Sequence, residues 1–258
     1  MNDDLITAVQ ACVDKGVPAR SVPFDWNGAR YWIKISLASQ KNIWHRLQDL
    51  VAFVTRAQIV RSTISASGQT GLDEEVARLK RVAERGVCVP QVIARKPGWV
   101  LLSDIGPCLF DAVNAADEKA PLLIQAIESL ADLHQKGGWH GTGQLRDMIT
   151  CPDGRIGFID FEEGVGEVMA HEAAQARDVL RFLISIVRFD DGTGSLLEQV
   201  LAAYRAKAPK DVWPHVKSGM RLIAPLAVLL SPFEEKLGRD LREALLVYNA
   251  VKQIVRQP

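Results

Sequence analysis

Residues 145–162, Leu-Arg-Asp-Met-Ile-Thr-Cys-Pro-Asp-Gly-Arg-Ile-Gly-Phe-Ile-Asp-Phe-Glu, constrain the fold more than any other stretch. Two short apolar runs, Met148 to Cys151 and Arg155 to Ile159, flank the turn-forming triplet Pro152-Asp153-Gly154, so the spacing predicts a tight hairpin. Asp147 leads into it and Asp160 leaves it, which brings both carboxylates to the same end. Two carboxylates held side by side repel unless a cation sits between them, so a divalent metal is the natural third party. Asp153 belongs to the turn. Upstream, Pro121 to His134 is an amphipathic helical pattern with Leu123, Ile127, Leu130, Ala131 and His134 on one face. Gly137-Gly138 ends that helix, and a polar loop from His140 to Asp147 follows it.

A chain of 258 residues builds one large domain or two units sharing a cleft. Apolar residues make up 48% and the formal charges cancel, which argues against a general nucleic-acid binder. The four cysteines, Cys12, Cys88, Cys108 and Cys151, are widely spaced with no Cys-x-x-Cys pair. They read as buried thiols of a reducing compartment, neither a zinc site nor a disulfide framework. His134 and His140 lack a third ligand at zinc-like spacing, so His134 reads as a packing or capping residue. The acidic start, Met-Asn-Asp-Asp-Leu, carries no secretory signal, and the apolar run from Leu222 to Leu230 is too short to span a bilayer and is broken by Pro225. The expectation is a cytoplasmic protein whose membrane contact, if it makes any, is peripheral to the inner face. Oligomeric state is not legible.

Residues 21–37 alternate around Asn27-Gly28, a hairpin turn signal, and place Lys34 between Ile33 and Ile35 on the second strand. Taken alone, Lys34 reads as an edge-strand lysine facing water. Across residues 38–72, Ile43, Trp44, Leu47, Leu50, Val51 and Val54 recur at helical spacing among Lys41, Arg46, Arg56 and Arg61. A basic amphipathic helix there would lie on an anionic membrane surface through residues 41–61, or grip a phosphorylated substrate. A helix packing its apolar stripe on the rest of the chain accounts for the same residues. Ser62 to Thr70 reads as a linker. Leu72 to Arg85 reads as a helix with Asp73, Glu74 and Glu75 in its first turn, closed by Gly86. Gly98 to Gly106 is a buried strand running into a polar turn. Ala174 to Val187, residues 195–206, residues 211–230 and residues 234–255 complete a helical second half, with Tyr204, Trp213 and Phe233 as core aromatics.

Leu133-His134-Gln135-Lys136-Gly137, His140-Gly141, Asp147 and Ile159-Asp160-Phe161 together resemble the catalytic segment of the protein-kinase-like superfamily. The resemblance points to its bacterial small-kinase branches: lipopolysaccharide-core kinases, aminoglycoside-type kinases and the KEOPS-complex kinase family. Their pattern runs Leu-His-x-x-Gly, then His-Gly-Asp with Asn five residues later, then Ile-Asp-Phe-Gly. This chain departs from it at Thr142, where the base Asp stands, at Asp147 for the Asn, and at Glu162 for the last Gly. A Gly-x-Gly-x-x-Gly loop is absent upstream.

The resemblance covers residues 20–190 and implies a two-lobed α+β fold. Residues 1–102 would form a small antiparallel-sheet N-lobe with a helical insertion at about 38–72, and residues 103–258 a mostly helical C-lobe. It implies ATP and Mg2+ as cofactors, with Asp147 and Asp160 on the metal and Lys34, paired to Glu75, on the nucleotide phosphates. Ser103 and Asp104 would mark the hinge that holds the base. His140 would anchor the loop, Asp178 would support it from the following helix, and Thr142 would occupy the base position. Arg146 neutralises a phosphate or balances the two carboxylates. The function that follows is transfer of the ATP γ-phosphate to a hydroxyl of a small-molecule, sugar or lipid-linked saccharide acceptor; the alternative is nucleotide binding by a catalytically impaired regulatory or assembly partner.

Overall fold

The alternation in residues 21–35 becomes a hairpin of β1 (Ser21–Trp26) and β2 (Ala29–Ile35), with Ser21 opposite Lys34 and Trp26 opposite Ala29. Asn27 and Gly28 both take positive φ, 48° and 79°, the two-residue turn whose twist matches antiparallel strands. The hairpin joins β3 (Val92–Lys96) and β4 (Trp99–Ser103) in one sheet of order β1-β2-β4-β3. The computed structural model describes residues 3–36, 68–161, 165, 169–230, 247, 248 and 252, with the side chains of 222–230 left aside. The basic amphipathic pattern of residues 41–61, Glu162, Phe233 and nearly all of residues 234–255 lie outside the described residues.

Period-two alternation gives the sheet two buried faces. Ile33, Trp99 and Leu101 turn to one side, where Leu5 and Val9 of α1 (Asp3–Asp14) cover them and the Trp99 indole N–H donates to Gln10 Oε1 at 2.9 Å. Val100 and Leu102 turn to the other side and join the main core. Trp32 and Lys34 alternate with Ile33 on β2 and line the cleft on that second side. Because β2 is an inner strand, Lys34 is buried, which corrects the edge-strand reading.

The helix predicted from Leu72 begins earlier: α2 runs Gly68–Glu84. Gln69 explains the start, since its Oε1 accepts the Gly98 N–H at 2.6 Å and its amide donates to Asp73 at 2.6 Å. Residues 68–70 are therefore helix and not linker, and Asp73, Glu74 and Glu75 fall in the second turn. The end is as read. Gly86 and Val87 N–H donate to Ala83 and Val82 carbonyls at 2.9 and 3.2 Å, a paired closure of the last turn.

The remainder is α3 (Leu109–Ala115), α4 (Ala120–Gln135), a hairpin of β5 (Met148–Thr150) and β6 (Ile156–Phe158), α5 (His171–Ile186), α6 (Ser195–Lys207) and α7 (Val212–Leu230). Helix α4 packs on α6 and α5 on α7, enclosing Leu123, Ile127, Leu130, Phe182 and Tyr204. Trp213 is only partly buried, with Arg205 stacked 4.4 Å over its ring. The fold is α+β, with a small antiparallel sheet and several helices. Cys88 and Cys151 are disulfide-bonded, which corrects the reading of four separate thiols; Cys12 and Cys108 are free. Folding brings the pair together from 63 residues apart, a proximity that spacing does not reveal. No helix among the described residues is long and apolar enough to cross a membrane.

Candidate functional site

A cleft of about 430 Å³ lies between β2, β4 and α2 on one side and the β5–β6 hairpin on the other. Its lining is apolar at Trp32, Leu102, Ile149 and Ile159 and charged where Lys34, Glu75 and Asp160 cluster, with Arg20, Asp104 and Arg146 also facing it. Such a space suits a ligand with a flat apolar part and an anionic part.

Lys34 organises the charged cluster. Its ammonium donates to Glu75 Oε1 at 2.5 Å and to Asp160 Oδ1 at 2.7 Å, so one cation joins β2, α2 and the end of the hairpin. Burial pushes the Glu75 carboxyl above its ordinary range, with Lys34 opposing, and Oε2 of Glu75 is buried with no hydrogen-bond partner among the described residues. The Lys34 ammonium, with the Arg20 charge adding to it, favours the ionised form against that burial.

The hairpin places the acidic pair as its turn chemistry requires. Met148 pairs with Phe158, and the Ile159 N–H donates to the Asp147 carbonyl at 3.0 Å, so Asp147 and Asp160 share one end. Asp160 holds φ 69°, a left-handed conformation uncommon outside glycine and one that clusters at functional sites. Burial raises the Asp147 carboxyl above its usual range and the neighbouring Asp160 charge adds to this, while His140 and Thr142 pull the other way. A cation between the two carboxylates would relieve that repulsion, and their hard oxygens suit Mg2+ or Ca2+. Among the described residues no group of three or more His, Cys, Asp or Glu side chains gathers for a metal. A magnesium ion here would be held by two carboxylates and completed by ligand phosphates, its usual mode.

The loop before Asp147 is clamped from below. Asp178, fully buried on α5, accepts the His140 and Gly141 N–H groups at 2.6 and 2.7 Å. Gly143 lies so close to α5 that a Cβ there would sit 2.6 Å from the Asp178 carbonyl oxygen. The His140 Nε2–H donates to the Ile159 carbonyl at 2.7 Å, which ties the loop to the residue before Asp160. Thr142 donates to Asp147 Oδ2 at 2.7 Å and lies 2.8 Å from His140 Nδ1. His134 is a core residue as read, between Tyr204 Oη at 2.7 Å and Asp178 at 3.3 Å.

Lys34, Glu75, Asp160, Asp104 and Arg146 all line the cleft, and Asp147, Thr142 and His140 stand behind its acidic end. Arg146 is exposed at the rim with Nε 3.9 Å from Asp147 Oδ1. Ser103 is the exception: its hydroxyl accepts the Gln91 N–H at 2.9 Å, a bond from the β4 end to the loop before β3, and it does not line the cleft. Two contributors escaped the sequence. Trp32 donates its indole N–H to Asp104 at 2.7 Å, which no local pattern announces. Arg78 reaches from α2 to the Phe161 carbonyl at 2.8 Å, just past Asp160. Periodicity gave no signal there, since Arg78 flanks the apolar face of Leu72, Val76 and Leu79.

No family model matches the chain. An uncharacterized protein of Haemophilus influenzae is 26% identical over 245 residues, which cover 93% of each chain. The similarity thus extends over nearly the full length of both chains.

Proposed function

We propose that the chain is a two-lobed, kinase-like phosphotransferase that moves the ATP γ-phosphate to a hydroxyl of a small-molecule, sugar or lipid-linked saccharide acceptor. The observation that carries this reading is Lys34 held between Glu75 and Asp160 in the charged part of a cleft with apolar lining. In this reading the sheet and α2 form the small lobe and the helices from α3 onward the large one. Lys34 meets phosphate oxygens, with Glu75 holding its ammonium in place. The apolar walls take the base, and Asp147 and Asp160 would hold Mg2+, which when bound neutralises charge on the phosphates. Phosphoryl transfer draws on positioning and charge stabilisation more than on proton removal, so Thr142 in the base position is compatible with turnover. Arg146 at the rim is placed to meet an anionic group of the nucleotide or acceptor.

Thermal-shift titration with ATP and Mg2+ tests the reading. The wild-type midpoint should rise with both together, and Asp160→Ala should remove the Mg2+-dependent part and ATP turnover. Absence of any nucleotide-dependent shift sinks it. A second reading is favoured by one observation: the Thr142 hydroxyl, not a carboxylate, occupies the base position and is already bonded to Asp147. A nucleotide-binding partner without turnover would shift with ATP yet transfer phosphate to no acceptor.

A further inference from the structure

We propose that Thr142 is the positioning residue for Asp147, and that positions 142 and 147 form an exchangeable pair needing one carboxylate and one hydrogen-bond donor. The inference rests on the phosphotransferase reading above and specifies how its acidic end is built.

The Asp147 backbone is fixed at both ends, its N–H donating to the Gln144 carbonyl and its own carbonyl accepting from Ile159, each at 3.0 Å. Rotation of the carboxylate about its last bond remains to be set. One oxygen, Oδ2, takes the Thr142 hydroxyl at 2.7 Å, and that contact sets the rotation. Thr142 itself cannot drift. Its neighbours Gly141 and Gly143 are held against Asp178, one by a 2.7 Å hydrogen bond and the other by close packing. The His140 ring beside it is locked through Nε2 to the Ile159 carbonyl and through Nδ1 by the Gly143 N–H at 3.1 Å. Since Nδ1 already accepts, the single hydroxyl hydrogen of Thr142 goes to Asp147. The Asp147 carboxylate is therefore held by Thr142, on a loop that the His140 ring ties to the peptide preceding Asp160.

The same contact forbids a second charge. A carboxylate at 142 facing the one at 147 would repel it at bonding distance, whereas an amide at 147 would donate to a carboxylate at 142. The exchange keeps both the net charge and the bond.

The test is Mn2+ binding in the presence of a non-hydrolysable ATP analogue, followed by electron paramagnetic resonance, alongside circular dichroism and melting of each variant. Thr142→Val should weaken Mn2+ binding about tenfold or more, as loss of an outer-shell partner does, while Thr142→Ser returns it to within about threefold. Thr142→Asp and Asp147→Asn should each weaken it, and the double variant T142D/D147N should recover most of the loss. Thr142→Val binding like wild type, or a double variant with the product of the two single losses, overturns the proposal and leaves the reading intact. No Mn2+–nucleotide binding by wild type overturns the reading and this proposal with it. Should T142D not fold, the Val and Ser variants decide alone.

Discussion

Lys34 carries more of this molecule than its single charge suggests. Removing one member of a buried ion pair leaves the other uncompensated, so Lys34→Ala should cost about 3–5 kcal/mol in urea unfolding. Adding Glu75→Gln to it should return part of that loss, because the stranded carboxylate goes. His134 gives a pH signature. Burial holds its imidazole below the ordinary range, with Asp178 opposing and His140 and His171 adding to the depression. The unfolded chain then binds the proton more readily, so this contribution is complete above about pH 6.5 and is lost as pH falls through the depressed value. Stability curves between pH 7 and 5 should show a fall that His134→Gln flattens. Asp147 and Asp160 were legible because each sits at an end of the predicted hairpin, whereas Lys34 and Glu75 were singled out by the resemblance and not by local pattern. The Thr142–Asp147 and Trp32–Asp104 bonds were not legible, since they depend on side-chain direction, which spacing does not encode.

Among the elements, those with local signals were read closely: the β1–β2 hairpin, α4, the β5–β6 hairpin, α5 and α6. Helix α1 and strand β3 went unread because what makes them is distant. Helix α1 exists to cover Ile33, Trp99 and Leu101, and β3 finds its register only along β4. The start of α2 was misplaced for the same reason, its Gln69 anchor being the remote Gly98. Gly143 is the element-scale test. A methyl there meets α5 backbone at φ 56°, so Gly143→Ala should cost at least about 2 kcal/mol and loosen the loop on which Thr142 stands. Hydrogen exchange at His140 and Gly141, whose amides Asp178 receives, would report it. Unchanged protection would mean that the loop tolerates the shift.

At the scale of the whole molecule, the Cys88–Cys151 bond closes a long loop that spans β3, β4, α3, α4 and β5. Alkylation without reductant should modify Cys12 and Cys108 alone. The double variant C88S/C151S should lose about 2–4 kcal/mol of unfolding free energy. Equal stability with and without the bond would contradict that loop-closure account. The same region holds another fastening. Arg85 donates to the Lys136 and Gly137 carbonyls at 2.9 and 2.6 Å, and Lys136 answers to the Gly86 carbonyl at 3.2 Å. Helix α2 is thus pinned at its C-terminal tip while Glu75, ten residues back, grips a lysine on another element. With Gln69 fastening its start to Gly98 and Arg78 its middle to the Phe161 carbonyl, the helix is held along its whole length, so the Glu75 carboxylate meets Lys34 from a fixed beam.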